Sequence, residues 1–268
     1  MKYLLGFDIG SSSVKCALLS VETGECLGTA FSPSAEMLIS SPEPGFAEQD
    51  PENWWKELKN AMSILQDECD FKKDEVAAIG ISYQMHGLVA VDRDGKPVRP
   101  SIIWCDSRAV NIGNTAFQTL GEDFCLTHYL NSPGNLTASK LKWVKDHQPD
   151  VYAKIHKVML PGDYIAYKLT GEMRTTKSGL SEGVMWDMQH EGIATDLLKY
   201  YGIDERLICN TVPQFGEQGF LTAEAAAALG LQEEIPVCYR AGDQPNNAYS
   251  LNVLKPGEIA ATAGTSGV

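Results

Sequence analysis

The stretch Gly6-Phe7-Asp8-Ile9-Gly10-Ser11-Ser12-Ser13-Val14-Lys15 sets one carboxylate near the end of an apolar run and follows it with four small residues. Residues 3–9 read as a buried strand, residues 10–13 as a turn and residues 14–20 as a second strand, which ends at the turn residues Glu22-Thr23-Gly24-Glu25. The chain therefore opens on a hairpin. A phosphate-bound divalent ion needs a carboxylate or its water shell, and phosphate oxygens need a backbone that only small residues let them approach. Asp8 and the turn of Gly10, Ser11, Ser12 and Ser13 meet both needs, although a glycine- and serine-rich turn after a strand is more often only a turn. The phosphate loop G-x-x-x-x-G-K-[ST] and a post-strand G-x-G-x-x-G are both absent, so neither of those nucleotide folds is supported.

A chain of 268 residues can bury one large core or two moderate ones. Its 22 basic and 35 acidic residues give a formal charge of -13, spread along the sequence, which repels nucleic acid and anionic membranes. ATP escapes that exclusion, because a divalent cation and backbone N–H groups supply a positive field locally. Cys16, Cys26, Cys69, Cys105, Cys125, Cys209 and Cys238 form an odd set without a C-x-x-C pair, which argues against a zinc site or a disulfide framework and for a reducing compartment. Asp8 cuts the apolar run at residues 3–7 too short for a secretory segment, so a cytoplasmic protein is expected.

Strands and helices alternate along the rest of the chain. Asp50 caps a helix with Pro51 at its first position, and Trp54, Trp55, Leu58, Ala61, Met62 and Leu65 fall on one face of it. Residues 76–82 and 88–91 read as strands, the second ending at the turn Asp92-Arg93-Asp94-Gly95. Thr137 is read as the cap of a helix through Leu141 and Val144 that Pro149 ends, and residues 164–169 as a helix closed by Thr170-Gly171. Thr222 opens an alanine-rich helix that stops at Leu229-Gly230 and leads into a strand at residues 235–239. After Ala241-Gly242-Asp243 come a short helical stretch at 247–251 and a returning segment at 258–263, and the final small-residue turn has a single residue beyond it.

The opening resembles the first phosphate motif of the actin, hexokinase and sugar kinase ATPase superfamily, in which the aspartate sits near magnesium and the turn faces the nucleotide phosphates. Ser41-Pro42-Glu43-Pro44-Gly45-Phe46-Ala47-Glu48-Gln49-Asp50-Pro51-Glu52-Asn53-Trp54-Trp55 is similar to the P-G-W-x-E-Q-D-P-x-x-W-W signature of the FGGY carbohydrate kinase family, with Phe46 at the first tryptophan position. That signature shapes a loop and launches a helix, and no chemistry is assigned to it. Gln84-Met85-His86-Gly87 resembles the substrate loop of the family's xylulose-phosphorylating members, whose methionine and histidine contact the sugar. It stands at a strand end, where open α/β sheets place their ligands. Trp104-Cys105-Asp106-Ser107-Arg108 resembles the family's W-x-D-x-R motif and reads equally as ligand residues or as a surface ion pair beside a buried tryptophan. Gly242-Asp243-Gln244 matches the family's G-D-N or G-D-Q turn, whose aspartate is the catalytic base, and Gly264-Thr265-Ser266-Gly267 resembles the second phosphate loop. A sugar hydroxyl is a poor nucleophile until a carboxylate within hydrogen-bond reach takes its proton.

The resemblance covers residues 4–268 and corresponds to the first of the family's two domains. It implies an α/β domain of the actin-like (ribonuclease H-like) ATPase fold, a mixed sheet flanked by helices, over residues 1–268, with the carboxy-terminal nucleotide-binding domain absent. It implies ATP and Mg2+ as cofactors and transfer of phosphate to D-xylulose by the parent enzyme. Asp243 is then the general base, with Met85, His86 and Gln244 placing the sugar. Asp8 is at the metal, and Gly10, Ser11, Ser12, Ser13, Gly264, Thr265 and Ser266 face the phosphates. Gluconate, ribulose and glycerol are the alternative substrates, glycerol being disfavoured because glycerol-phosphorylating relatives carry Arg-Glu at the Met85-His86 position. A non-catalytic sugar-binding module is the alternative if the chain ends naturally at Val268. The expected partners are a sugar and Mg-ATP, not nucleic acid or membrane, and a homodimer is left open. The chain alone is expected to turn over little, since closure of a second domain positions the reactants and excludes water.

Overall fold

The computed structural model describes residues 2–261. Strands β1 (Tyr3–Ile9) and β2 (Val14–Ser20) pair antiparallel as the expected hairpin, with Asp8 opposite Lys15. Strand β3 (Cys26–Ser32) extends the antiparallel side, while β4 (Val76–Tyr83) and β5 (Val237–Gly242) add in parallel on the other, giving the order β5-β4-β1-β2-β3. The period-two alternation of a strand sends Tyr3, Leu5, Phe7 and Ile9 into the core and leaves Leu4, Gly6 and Asp8 on the opposite face.

Helices α1 (Pro51–Glu68), α2 (Pro161–Thr170) and α3 (Ala223–Leu229) cover the core face. Helix α1 starts as its sequence dictates: the Asp50 carboxylate accepts the Glu52 N–H at 3.0 Å and Pro51 takes the first position. Its apolar stripe of Trp54, Trp55, Leu58, Ala61, Met62 and Leu65 is buried, each large side chain contributing about 1.5–3 kcal/mol of burial. A second hydrophobic cluster lies among the helices Thr137–His147, Lys177–Glu182 and Thr195–Tyr201, around Leu141, Val144, Leu180, Leu197 and Leu198.

Several expected bounds shift for local reasons. Helix α2 begins at Pro161, because the Asp163 carboxylate accepts the Leu160 N–H at 3.2 Å and Pro161 fits the first turn. Thr137 is the first helical residue and Leu136 the cap. The helix expected at 247–251 is α4 (Asp243–Ser250), which starts directly from β5. Residues 258–261 form no strand, and residues 262–263 lie outside the described residues. Among the described residues no helix is long and apolar enough to cross a membrane.

Candidate active site

Because β1, β4 and β5 are parallel, their carboxyl ends share one edge of the sheet. Asp8 pairs with Ser82 of β4, Ser82 pairs with Ala241 of β5, and Asp243 follows as the first residue of α4. The edge opens into a cleft of about 480 Å³ whose lining includes Asp8, Gly10, Ser11, Ser12, Ser13, Lys15, Trp104 and Asp243. Residues far apart in sequence, Asp8 and Asp243, thus face one cavity. Met85, His86 and Gln244 do not line it; Met85 lies against the backbone that leads into Asp243. A Cβ added at Gly242 would come within 2.9 Å of Met85 Sδ and 2.8 Å of Glu182 Oε2, so only glycine fits there.

The serine turn is held open from below. The Gly10 N–H donates to the Ser13 carbonyl at 3.1 Å, and a Cβ at Gly10 would lie 2.8 Å from that oxygen. Gln49 Nε2 donates to the Ser11 carbonyl at 2.7 Å, and Trp54 Nε1 donates to Gln49 Oε1 at 3.0 Å. The Glu-Gln-Asp-Pro signature is therefore the support of the turn. Among the described residues the amides of Ser11, Ser12 and Ser13 donate to no protein acceptor, so three N–H groups are free to receive an anion.

Electrostatics distinguish the two cleft carboxylates. Asp8 pairs with Lys15 at 3.2 Å near the surface. Burial raises the Asp243 carboxyl above its ordinary value; the Gln244 N–H at 2.8 Å opposes this, the Asp8 charge adds to it and Lys15 counters it.

His86 adopts φ 59°, a left-handed conformation that a side chain rarely keeps unless its surroundings impose it. Here they do. Glu182 Oε1 accepts the His86 N–H at 3.1 Å, and Lys140 Nζ donates to the carbonyls of His86 at 2.8 Å and Ile103 at 3.0 Å. His86 Nδ1 lies 3.0 Å from the Glu182 carbonyl, which can only accept, so Nδ1 carries the proton and Nε2 keeps a free lone pair. Burial holds the imidazole below its ordinary value against that hydrogen bond, and Lys140 adds to the effect. Burial also pushes Lys140 down to about 8 and Glu182 well above the usual carboxylate range.

The W-x-D-x-R segment inverts the exposure of the surface-ion-pair reading. The side chains of Asp106 and Arg108 are buried, bridged by Arg108 Nε at 2.9 Å and Nη2 at 2.7 Å from Asp106 Oδ2, and Arg108 Nη1 also reaches Glu48 at 2.7 Å. Asp106 Oδ2 further accepts the Ala47 N–H at 2.6 Å. The pair is thus an internal brace. Trp104 is instead 54% exposed, and its Nε1 donates to Ser11 Oγ at 3.2 Å in the cleft.

Residues 3–249 match the FGGY family of carbohydrate kinases, N-terminal domain. The chain belongs to this FGGY family. Among curated relatives, the xylulose kinase of Escherichia coli is 32% identical over 98% of this chain and 53% of its own length. That of Staphylococcus xylosus is 30% identical over 100% of this chain and 54% of its own. The crystal structure of xylulose kinase from Rhodospirillum rubrum superposes with a TM-score of 0.91 at 26% identity, covering 99% of this chain and 54% of that one. The chain spans about half the length of the curated relatives it matches. The actin-like ATPase fold of the FGGY kinases, a mixed sheet flanked by helices, is the fold observed.

Two contributors to this FGGY site carry no local signal. Glu182 and Lys140 sit in ordinary helical positions, and only tertiary packing brings them to the site. Gly264, Thr265 and Ser266 lie outside the described residues.

Proposed function

We propose that residues 1–268 are the sugar-binding, amino-terminal domain of an ATP-dependent kinase that converts D-xylulose to D-xylulose 5-phosphate. The observation that carries this reading is the single cleft lined by Asp8, the Gly10 to Ser13 turn and Asp243, with Met85 packed against Gly242 at its back. Bound Mg-ATP would supply an electrophilic γ-phosphorus and a cation that neutralises the phosphate oxygens. The residues fit that group. Asp8 offers a carboxylate for the metal or its water shell, and the free amides of Ser11, Ser12 and Ser13 offer donors for phosphate. Gly264, Thr265 and Ser266 complete the phosphate cradle in this proposal.

Asp243 accepts the proton of the attacking hydroxyl on a carboxylate oxygen. Its raised basicity favours that transfer. Met85, His86 and Gln244 stand outside the cleft lining, and in this proposal the bound sugar reaches them: Met85 as an apolar surface, neutral His86 as an acceptor at Nε2 for a sugar O–H, and Gln244 as an amide next to the base. The curated relatives named xylulose kinases and the Met85-His86 loop both support a ketopentose over gluconate. The seven free thiols suit a cytoplasmic setting.

The test is a coupled assay of ADP release by the complete gene product with ATP and D-xylulose, D-ribulose, gluconate or glycerol. D-xylulose should give a kcat/KM at least about tenfold above the others, with the phosphate on the terminal oxygen by NMR. Preference for gluconate, or no ADP release with any of the four, would contradict the proposal.

A further inference from the structure

Away from the cleft, His128, Asp187 and His190 bring three metal-ligating atoms together. Nδ1 of His128 lies 3.0 Å from Asp187 Oδ2 and Nδ1 of His190 lies 2.9 Å from the same oxygen. All three donor atoms fall within 4.8 Å of one another. We propose that this trio binds one first-row divalent transition metal, Zn2+ in preference, and that the ion clamps the helix Glu122–His128 to the hairpin of Trp186–Asp187 and Gly192–Ile193.

The donor set and its spacing support this. Two imidazoles and one carboxylate suit Zn2+, which takes such ligands at about 2.0–2.1 Å and completes a tetrahedron with water when the protein gives three. Donors around such an ion stand about 3.3 Å apart, so each imidazole needs to stand off Asp187 Oδ2 by only a few tenths of an ångström. The ligands are held in place before any ion arrives. The Phe124 ring stacks on His128 with centroids 4.1 Å apart, and the Met188 N–H donates to the His128 carbonyl at 2.7 Å, tying helix to hairpin. Asp187 Oδ1 accepts the N–H groups of Gln189 at 2.9 Å and His190 at 3.0 Å, which leaves Oδ2 turned toward the two rings.

The side chain of His190 is 69% exposed while that of Asp187 is 4% exposed, so the trio has a buried anchor and an open mouth through which an ion and its water enter. On binding, each Nδ1 gives up its proton, to Nε2 of its own ring or to solvent, and turns its lone pair to the ion. None of the three residues lines the cleft. The seven cysteines gave no zinc pattern, and the trio was hidden because His128 and Asp187 are far apart in sequence.

Chelator-treated full-length protein is titrated calorimetrically with Zn2+ alone, and separately with Co2+ alone while its visible absorption is recorded. The proposal expects one equivalent bound, tetrahedral Co2+ bands without thiolate-to-cobalt charge transfer, and a Tm that rises with the logarithm of metal concentration. His190→Ala, at an exposed position, should fold as wild type by circular dichroism and weaken Zn2+ binding by at least about tenfold. His128→Asn should weaken it to a similar degree. Binding by His190→Ala equal to wild type, a thiolate charge-transfer band, or no binding by the wild type would overturn the proposal.

Discussion

Glu182 Oε1 accepts the backbone N–H of His86 at 3.1 Å, from a helix 96 residues further along the chain. The other carboxyl oxygen faces Gly242, where an added Cβ would lie 2.8 Å away. One buried side chain therefore fixes both the Met85-His86 loop and the backbone that delivers Asp243.

Burial, with the nearby charge of Asp163 adding to it and the hydrogen bond from His86 opposing it, leaves the Glu182 carboxyl raised well above its ordinary value. A raised acid contributes stability that is complete below the unfolded value and is lost as pH rises through the folded one. Glu182→Gln keeps an acceptor without a charge, so its stability in urea should fall less steeply than wild type between about pH 5 and 9. Glu182→Leu leaves the His86 N–H without its partner and should cost about 1–3 kcal/mol at every pH in that range.

Arg108 is buried between Asp106 and Glu48, and its guanidinium stacks over Phe46 at 3.7 Å from the ring centroid. Arg108→Met would leave two buried carboxylates short of a cation, and urea denaturation should register a loss of about 3–5 kcal/mol. Glu48 keeps Arg99 as a second partner, so a smaller loss would mean that Arg99 moves to cover both acids.

The hairpin and α1 were legible because their signals are local: Asp50-Pro51 caps its own helix, and the alternation of residues 3–9 fixes which side chains enter the core. The convergence of Asp8 and Asp243 was legible only through the resemblance, since their proximity comes from the parallel pairing of β1, β4 and β5. Trp104 and the Asp106-Arg108 pair were left between two readings, because a tryptophan is usually buried and an Asp-Arg pair usually solvated. Here Asp106 is committed to the Ala47 N–H and to Arg108, which fills the interior and turns the indole outward. Lys140 lies on the helix Thr137–His147, and nothing near it in sequence shows that it reaches the carbonyls of His86 and Ile103.

Lys15 works against the burial and the Asp8 charge that raise the Asp243 carboxyl. A base must be ionised to act, so the acidic limb of the kcat/KM profile should lie above the ordinary carboxylate value. Lys15→Met removes the opposing cation and should move that limb further toward neutral pH. A limb that stays in place or moves to lower pH would detach it from Asp243.

The most direct test of Asp243 as the base compares wild type and Asp243→Asn in the complete gene product, with saturating ATP and D-xylulose and circular dichroism as the control for folding. The carboxamide keeps the shape and cannot take a proton, so kcat should fall by about 10²–10⁴-fold while the sugar still binds. Turnover by Asp243→Asn within a few-fold of wild type would contradict the account.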